Sequence, residues 1–521
     1  MLARTKIPAR RRQSIRDGNA MSLAAPVGGW NARDSVADMP PNDAVYLVNW
    51  FPSATYCQMR NGYSSYATGI TGWVETLLAY TGGTSEQLFA AAGTVIYDVT
   101  GGGTATSDRT GMTNARWQYV NNTTSGGSYI QLVNGANKMQ VYDGAAWHAD
   151  GDGAPYDVTG VNTATCIGIT LSHNRVWLTQ TATLKAWYLP TNSIGGAATA
   201  FDLSSFCQRG GYLMAIETWT MDAGYGMDDM TVFITSEGEV LVYKGTDPAS
   251  SATWGLIGVY WIGSPIGRRC TVKYAGDLII ITRDGVQPMS LAMQSSRINA
   301  RINLTDKIQF AISSAISSYG SNYGWQLLPY PNENMLFLNV PLQTSAIQQQ
   351  YVMNTITRNW CSFEGWNAAC WELYQDEPYF GGNGYVGRAW HTNADNGGVI
   401  TANGLQAFNY FGQRNKEKHF TQMRPVLNTN GTPAISSQIN LDFDTSNPTS
   451  SVVFQPSNYG VWDSSVWGNA LWGAEFNVNA TWQGAFGVGR AGAPHLLAVQ
   501  SGLNLQWIST DIIWRPGGIF G

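Results

Sequence analysis

Between residues 87 and 243 one short pattern recurs: an apolar strand, a turn built on glycine, and a second strand that closes on an aromatic side chain. The clearest copies are "LFAAAGTVIYDVTGG" (Gly93, Tyr97), "YIQLVNGANKMQVYDGAAW" (Gly135, Tyr142) and "TVFITSEGEVLVYKG" (Gly238, Tyr243). A looser copy, "RVWLTQTATLKAWYLP", ends in Trp187 and Tyr188, and "AGDLIIITRDGVQPMS" turns at Asp284 and Gly285. Glycine next to asparagine or aspartate between two apolar runs is a strong hairpin signal. The closing tyrosines fall 45, 46 and 55 residues apart, close to the length of one four-stranded propeller blade. "YVMNTITRNWCSF" (351–363) and "EPYFGGNGYVGRAW" (377–390) read as further hairpins. The spacing therefore predicts an all-β chain: a β-propeller-like body of roughly six to eight blades over residues 21–405. Radial closure hides strand edges that otherwise invite aggregation.

One segment departs from this grammar. "TDKIQFAISSAISSYG" puts Ile308, Ile312, Ala315 and Ile316 at helical spacing, so one inserted helix is predicted near 305–319, with Thr305 as N-cap and Gly320 as its stop. Past residue 405 the period fades. Residues 406–521 are expected to form a separate C-terminal β lobe, in which "SSQINLDFD" alternates Ile439, Leu441 and Phe443 against Asn440 and Asp442. In the last strand Leu503, Leu505 and Trp507 alternate, and this strand is expected to complete a sheet begun far upstream.

The lobe also carries "YGVWDSSVWGNALWG", with Trp462, Trp467 and Trp472 spaced by five. Five helical steps rotate by about 140°, and five strand steps alternate faces, so the period belongs to neither element. Each unit instead contains its own turn, at Asp463 to Ser465 and at Gly468 and Asn469. Large rings of this kind are expected to be buried staples of the lobe, the alternative being an exposed platform for sugar rings.

Composition narrows the function. Only 12% of the 521 residues are charged, against 12% aromatic and 58 glycines, which predicts a surface largely covered by partners. The charge is uneven. Residues 1–20 form a basic arm, in which Arg4, Lys6, Arg10, Arg11, Arg12 and Arg16 face only Asp17. Setting aside these six bases and one acid leaves 24 basic and 34 acidic residues, a body of net charge −10. Such an arm is expected to dock on an acidic partner or on DNA, the alternative being a flexible solvated terminus. "NAMSLAAPVGG" offers too short an apolar run to be expected to act as a signal sequence, and no run of 18 apolar residues exists to span a membrane as a helix. The six cysteines (57, 166, 207, 270, 361, 370) fit no zinc module and are expected to be reduced core residues.

No catalytic pattern emerges. His148, His173, His391, His419 and His495 are isolated, and no phosphate-binding glycine loop or GxSxG elbow is present. "GGGTATSDRTG" lacks the helix that follows a phosphate loop, and "SDRTGMTNARW" matches the Ser-x-Asp box of propeller glycosidases only loosely. "DGDGAPYD" (Asp150, Asp152, Asp157) lacks the full calcium ligand series. Asp222, Asp228 and Asp229 are expected on a loop rather than in an acid–base pair. The chain is thus expected to be no enzyme and to hold no metal or cofactor.

The most distinctive stretch is "GGWNARDSVADMPPNDAVYLVNWFPSATYCQMRNGYSSYATG" (28–69). Through Gly29, Asn31, Arg33, Asp34, Met39, Pro40, Asp43, Ala44, Asn49, Trp50, Phe51, Pro52, Arg60 and Gly62 it resembles the opening of a family of short-tailed bacteriophage virion proteins. "YVMNTITRNWCSFEGWNAACWE" and the tryptophan ladder are similar to the same family. The resemblance implies a tail nozzle or hub protein: a homo-oligomeric ring, commonly hexameric, below the portal and adaptor. It would conduct genomic DNA during ejection, bear fibre or spike proteins, and reside in the virion after assembly in the host cytoplasm. A host-surface glycan binder using exposed aromatics is the alternative from a different functional class.

Overall fold

The computed structural model describes residues 18–82, 86–222, 227–294, 303–449, 451 and 477–517. Among them the chain is all-β apart from short helices, and seven groups of three or four strands, here called blades 1 to 7, follow one another around a ring. Blade 2 (Gln118–Thr124, Gly127–Val133, Gln140–Tyr142, Trp147–Ala149) shows the plan: four antiparallel strands in sequence order. Blades 1 (74–110), 3 (166–202), 4 (213–261) and 6 (326–363) repeat it, blade 7 (370–392) takes its fourth strand from residues 62–68, and blade 5 (271–288) has three strands. The recurring tyrosines Tyr97, Tyr142, Tyr188 and Tyr243 all lie on third strands and are buried. Each supplies a large ring to the layer between neighbouring blades, which is why the period is visible in the sequence.

The core is a succession of apolar layers, one at each junction of blades. Leu78, Phe89 and Ile96 of blade 1 meet Trp117 and Ile130 at blade 2, and Trp177 and Tyr188 of blade 3 meet Phe233 and Trp254 of blade 4. The ring closes through one strand, Gly62–Tyr80, which serves two blades. Its residues 74–80 pair with Gln87–Ala92 as the inner edge of blade 1. Its residues 62–68 pair with Asn383–Thr392 as the outer edge of blade 7. Non-local pairing of this kind locks a ring that sequence-adjacent hairpins alone would leave open.

Thr305 precedes a tight turn, Asp306–Ile308, that leads into helix Gln309–Tyr319. Ile308, Ile312, Ala315 and Ile316 are buried against blades 4 to 6, so the predicted apolar stripe packs on its own body. Thr305 makes no capping bond; its hydroxyl accepts from the Val286 N–H at 3.2 Å. A six-residue helix, Met289–Gln294, is an addition that the sequence reading lacked.

Beside the ring two sheets form a sandwich. Strands Asn19–Ala24, Trp50–Pro52, Cys57–Met59, Lys418–Thr429, Asn477–Asn479, Gln483–Gly489 and Leu505–Pro516 build the first. Leu505–Pro516 pairs with Asn19–Ala24 and touches Cys57–Met59, so the last strand does complete a sheet begun near the N-terminus. The second sheet extends blade 6 through Asp43–Val48, Ile400–Gln406, Gly492–Gln500 and Ile435–Leu441. Residues 405 and 406, the expected boundary, both lie within strand Ile400–Gln406. Trp50 and Trp507, 5.9 Å apart edge to face, pack between the sheets; such a pair adds about 0.5–1.5 kcal/mol beyond its buried area.

Strand Ile435–Leu441 exists as expected, but its alternation is reversed. Asn440 is buried while Ile439 and Leu441 are half-buried. Asn440 Nδ2 donates to the carbonyls of Asp444 (3.0 Å) and Ser446 (2.8 Å), which satisfies the amide inside the protein.

Candidate interaction surfaces

The distinctive 28–69 stretch folds into a buried polar latch. Asn31 Nδ2 donates to Asp34 and Asp43 at 2.9 and 2.8 Å, and its Oδ1 accepts from the backbone N–H groups of Arg33 and Asp34. Asp43 also receives Lys307 Nζ at 2.7 Å, tying the latch to the turn before the long helix. Arg33 spans Asp34 and Asp306, and its guanidinium holds the Asp34 carboxyl near 2. Further along, Asn49 adopts a left-handed conformation (φ 58°). That turn lets its Oδ1 accept from Arg60 Nε at 2.8 Å and from the Glu364 N–H at 2.9 Å. Every carboxylate and amide in this network is spent on a neighbour. Its chemistry is to hold ring, helix and sandwich together.

Arg4, Lys6, Arg10, Arg11, Arg12 and Arg16 lie outside the described residues, as do Trp462, Trp467 and Trp472. Of the remaining sequence candidates, Asp150, Asp157 and Asp229 have local partners. Asp150 accepts from the Val158 N–H and the Thr163 hydroxyl, and Asp157 accepts from the Gly151 and Gly153 N–H groups. Both carboxylates thereby cap a tight turn. The strand pairing sets Asp228 opposite Met221 and Asp229 opposite Thr220, so these acids sit on a hairpin rather than a loop. The Thr220 hydroxyl donates to Asp229 at 2.6 Å. His495 is buried among Tyr46, Asn403 and Asn440, and burial lowers its pKa to about 4. The six cysteines are free and five are buried; burial pushes the thiols of Cys166, Cys270 and Cys370 up to about 12, which leaves them unreactive.

A feature with no sequence warning lies on the sandwich. Strand Gln483–Gly489 alternates, with Ala485 and Gly489 inward and Phe486 and Val488 outward, 89% and 56% exposed. Val478, 69% exposed, continues the row on Asn477–Asn479. Trp482 stands beside it under the guanidinium of Arg424, 4.7 Å from the ring centre, and Asp511 fixes that guanidinium at 2.5 Å. Glycine and alanine on the inward side let the strand lie close to its neighbours while its large side chains stand in water. Exposed apolar side chains ranged along one sheet edge suit a protein contact.

No family model and no curated protein matches the chain. Among solved structures, one of BBS1N in complex with ARL6DN, soaked with mercury, aligns with 41% of this chain and 75% of that one. The identity is 12% and the TM-score 0.23, too low to bear on function.

Proposed function

We propose that the chain is a structural subunit of a short-tailed bacteriophage tail: a ring-forming nozzle or hub protein that attaches below the portal and adaptor and surrounds the ejected DNA. The observation that carries this reading is the 28–69 stretch with its resemblance to that family. The latch geometry supports it, because Asn31, Asp43, Asn49 and Arg60 are consumed in joining ring, helix and sandwich. An exposed row of Val478, Phe486 and Val488 on a weakly charged surface suits a protein that spends its life against other copies or partners. An acidic body lining a conduit repels phosphates, so a passing genome does not adhere.

Native mass measurement of the purified chain, alone and with its adaptor, tests the proposal. A closed ring, six copies by the family resemblance, is the expected result. A chain that stays monomeric in both settings and is absent from purified virions overturns it.

A further inference from the structure

Where the inner strands of the ring begin, two clefts of about 1130 and 470 Å³ meet at Arg268, Gly267, Gly320 and Ser321. Below them an axial cavity of about 320 Å³ also reaches Arg268. The arginine thus stands at the junction of the three spaces.

Its pairing differs from that of five other arginines, each of which meets a carboxylate. Arg60 meets Asp395, Arg116 meets Glu75, Arg175 meets Asp247, Arg388 meets Glu377 and Arg424 meets Asp511. Neighbouring Arg269 is held by the Thr76 hydroxyl at 2.7 Å and by the carbonyls of Glu75 and Trp117 at 3.1 Å. Arg268 has one hydrogen bond, Nη1 to the Asn134 carbonyl at 3.3 Å, and no carboxylate partner among the described residues. Burial and the charge of Arg116 pull its pKa down, the behaviour of a cation short of a counter-charge. Arg283, exposed on the wall of the larger cleft, has no side-chain partner among the described residues either. Among the described lining residues the larger cleft sets Glu237 against these charges, the smaller cleft Glu75, which Arg116 already holds, and the axial cavity Glu217 and Glu372.

The site has room built into it. Gly135, at φ 75°, lies under the guanidinium; a Cβ there would stand 3.6 Å from Arg268 Nη1 and 2.8 Å from the Ile167 methyl. Ser264, Ser313, Ser317 and Ser321 supply hydroxyls around the larger cleft. A half-buried guanidinium with a single long hydrogen bond keeps donors free, and its planar fork matches an oxyanion with two oxygens far better than a spherical halide.

We propose that Arg268, supported by Arg283, binds an oxyanion group, carboxylate or phosphate, of a small ligand seated in the cleft at the mouth of the ring. The free donors of the fork hold two oxygens of the group, and the serine hydroxyls complete its shell. This site is independent of the tail assignment.

Titration calorimetry on the full chain in chloride buffer, with inorganic phosphate and with succinate as probes, tests it. Saturable binding of either probe to the wild type, weakened at least tenfold in Arg268→Gln and severalfold in Arg283→Gln, supports the site. Phosphate alone binding assigns a phosphate-bearing ligand, and succinate alone a carboxylate. Arg268→Lys keeps the charge but loses the fork, and it is expected to bind several times more weakly than wild type. It also serves if the glutamine variant does not fold. Binding of neither probe to the wild type, or undiminished binding in the Arg268 and Arg283 variants, overturns the proposal.

Discussion

Arg60 and Asp395, 335 residues apart in the chain, meet in a two-pronged ion pair, Nη1 to Oδ1 at 2.8 Å and Nη2 to Oδ2 at 2.6 Å. Arg60 is 1% exposed and also stacks over Trp366, 4.6 Å from its ring centre. Removing one partner leaves a buried charge alone, at a cost of about 3–5 kcal/mol. Asp395→Ala should therefore lower the denaturation midpoint strongly. The double variant Arg60→Met, Asp395→Leu should recover much of the loss; a double variant no better than the single one would refute an ionic origin.

Two buried groups tilt the pH dependence of stability in opposite senses. His495 has its pKa lowered from 6.5 to about 4 by burial, so between those values the unfolded chain takes up a proton that the folded chain refuses. Stability is lost as pH falls through that window, by about 3 kcal/mol. In the axial cavity, burial raises Glu372 from 4.5 to about 7, against hydrogen bonds from Tyr119 and the Leu373 N–H. There the folded chain holds the extra proton, and stability is lost as pH rises from about 4.5 to 7, again by about 3 kcal/mol. Within the shared window the two slopes oppose each other. Glu372→Gln should expose the loss toward acid and His495→Gln the loss toward neutral pH, measured by chemical denaturation from pH 4 to 8.

Ring closure can be broken at one residue. A Cβ on Gly62 would fall inside the Ala394 peptide group, so Gly62→Val should displace the outer strand of blade 7 and cost about 3 kcal/mol. Limited proteolysis is expected to cut near residues 62–68 in the variant and to spare them in the wild type.

The exposed row on the sandwich should matter to assembly and hardly to folding. Phe486→Ser and Val488→Thr remove groups that stand in water, so the isolated chain should keep its stability within about 0.5 kcal/mol. The proposed assembly of copies into a ring should weaken at least tenfold. Unchanged assembly by mass measurement would remove this row from the interface.

The propeller-like body was legible because its repeat is local. Tyr97, Tyr142, Tyr188 and Tyr243 each end a hairpin whose partner strand is a few residues away, so turn chemistry and alternation carry the information. Features made by distant segments were not legible. Nothing in residues 62–80 announces that one strand serves two blades, since its outer half finds Asn383–Thr392 only in three dimensions. Asn440 reads as a surface amide until the carbonyls of Asp444 and Ser446 are seen beside it. Arg60 and Arg268 look alike in the sequence; one is neutralised by Asp395 and the other by no described side chain. The exposed row escaped because Phe486 and Val488 are residue types normally assigned to cores.

The doubly used strand Gly62–Tyr80 has a consequence for how the protein is made. Its outer half leaves the ribosome more than 300 residues ahead of Asn383–Thr392, which at about 5–20 residues per second is a wait on the order of 15–60 s. Strand Asn19–Ala24 waits longer still, for Leu505–Pro516. Until those late segments emerge, both strands therefore keep a vacant edge that the chain's own later segments, or those of a sister chain on the same message, can fill.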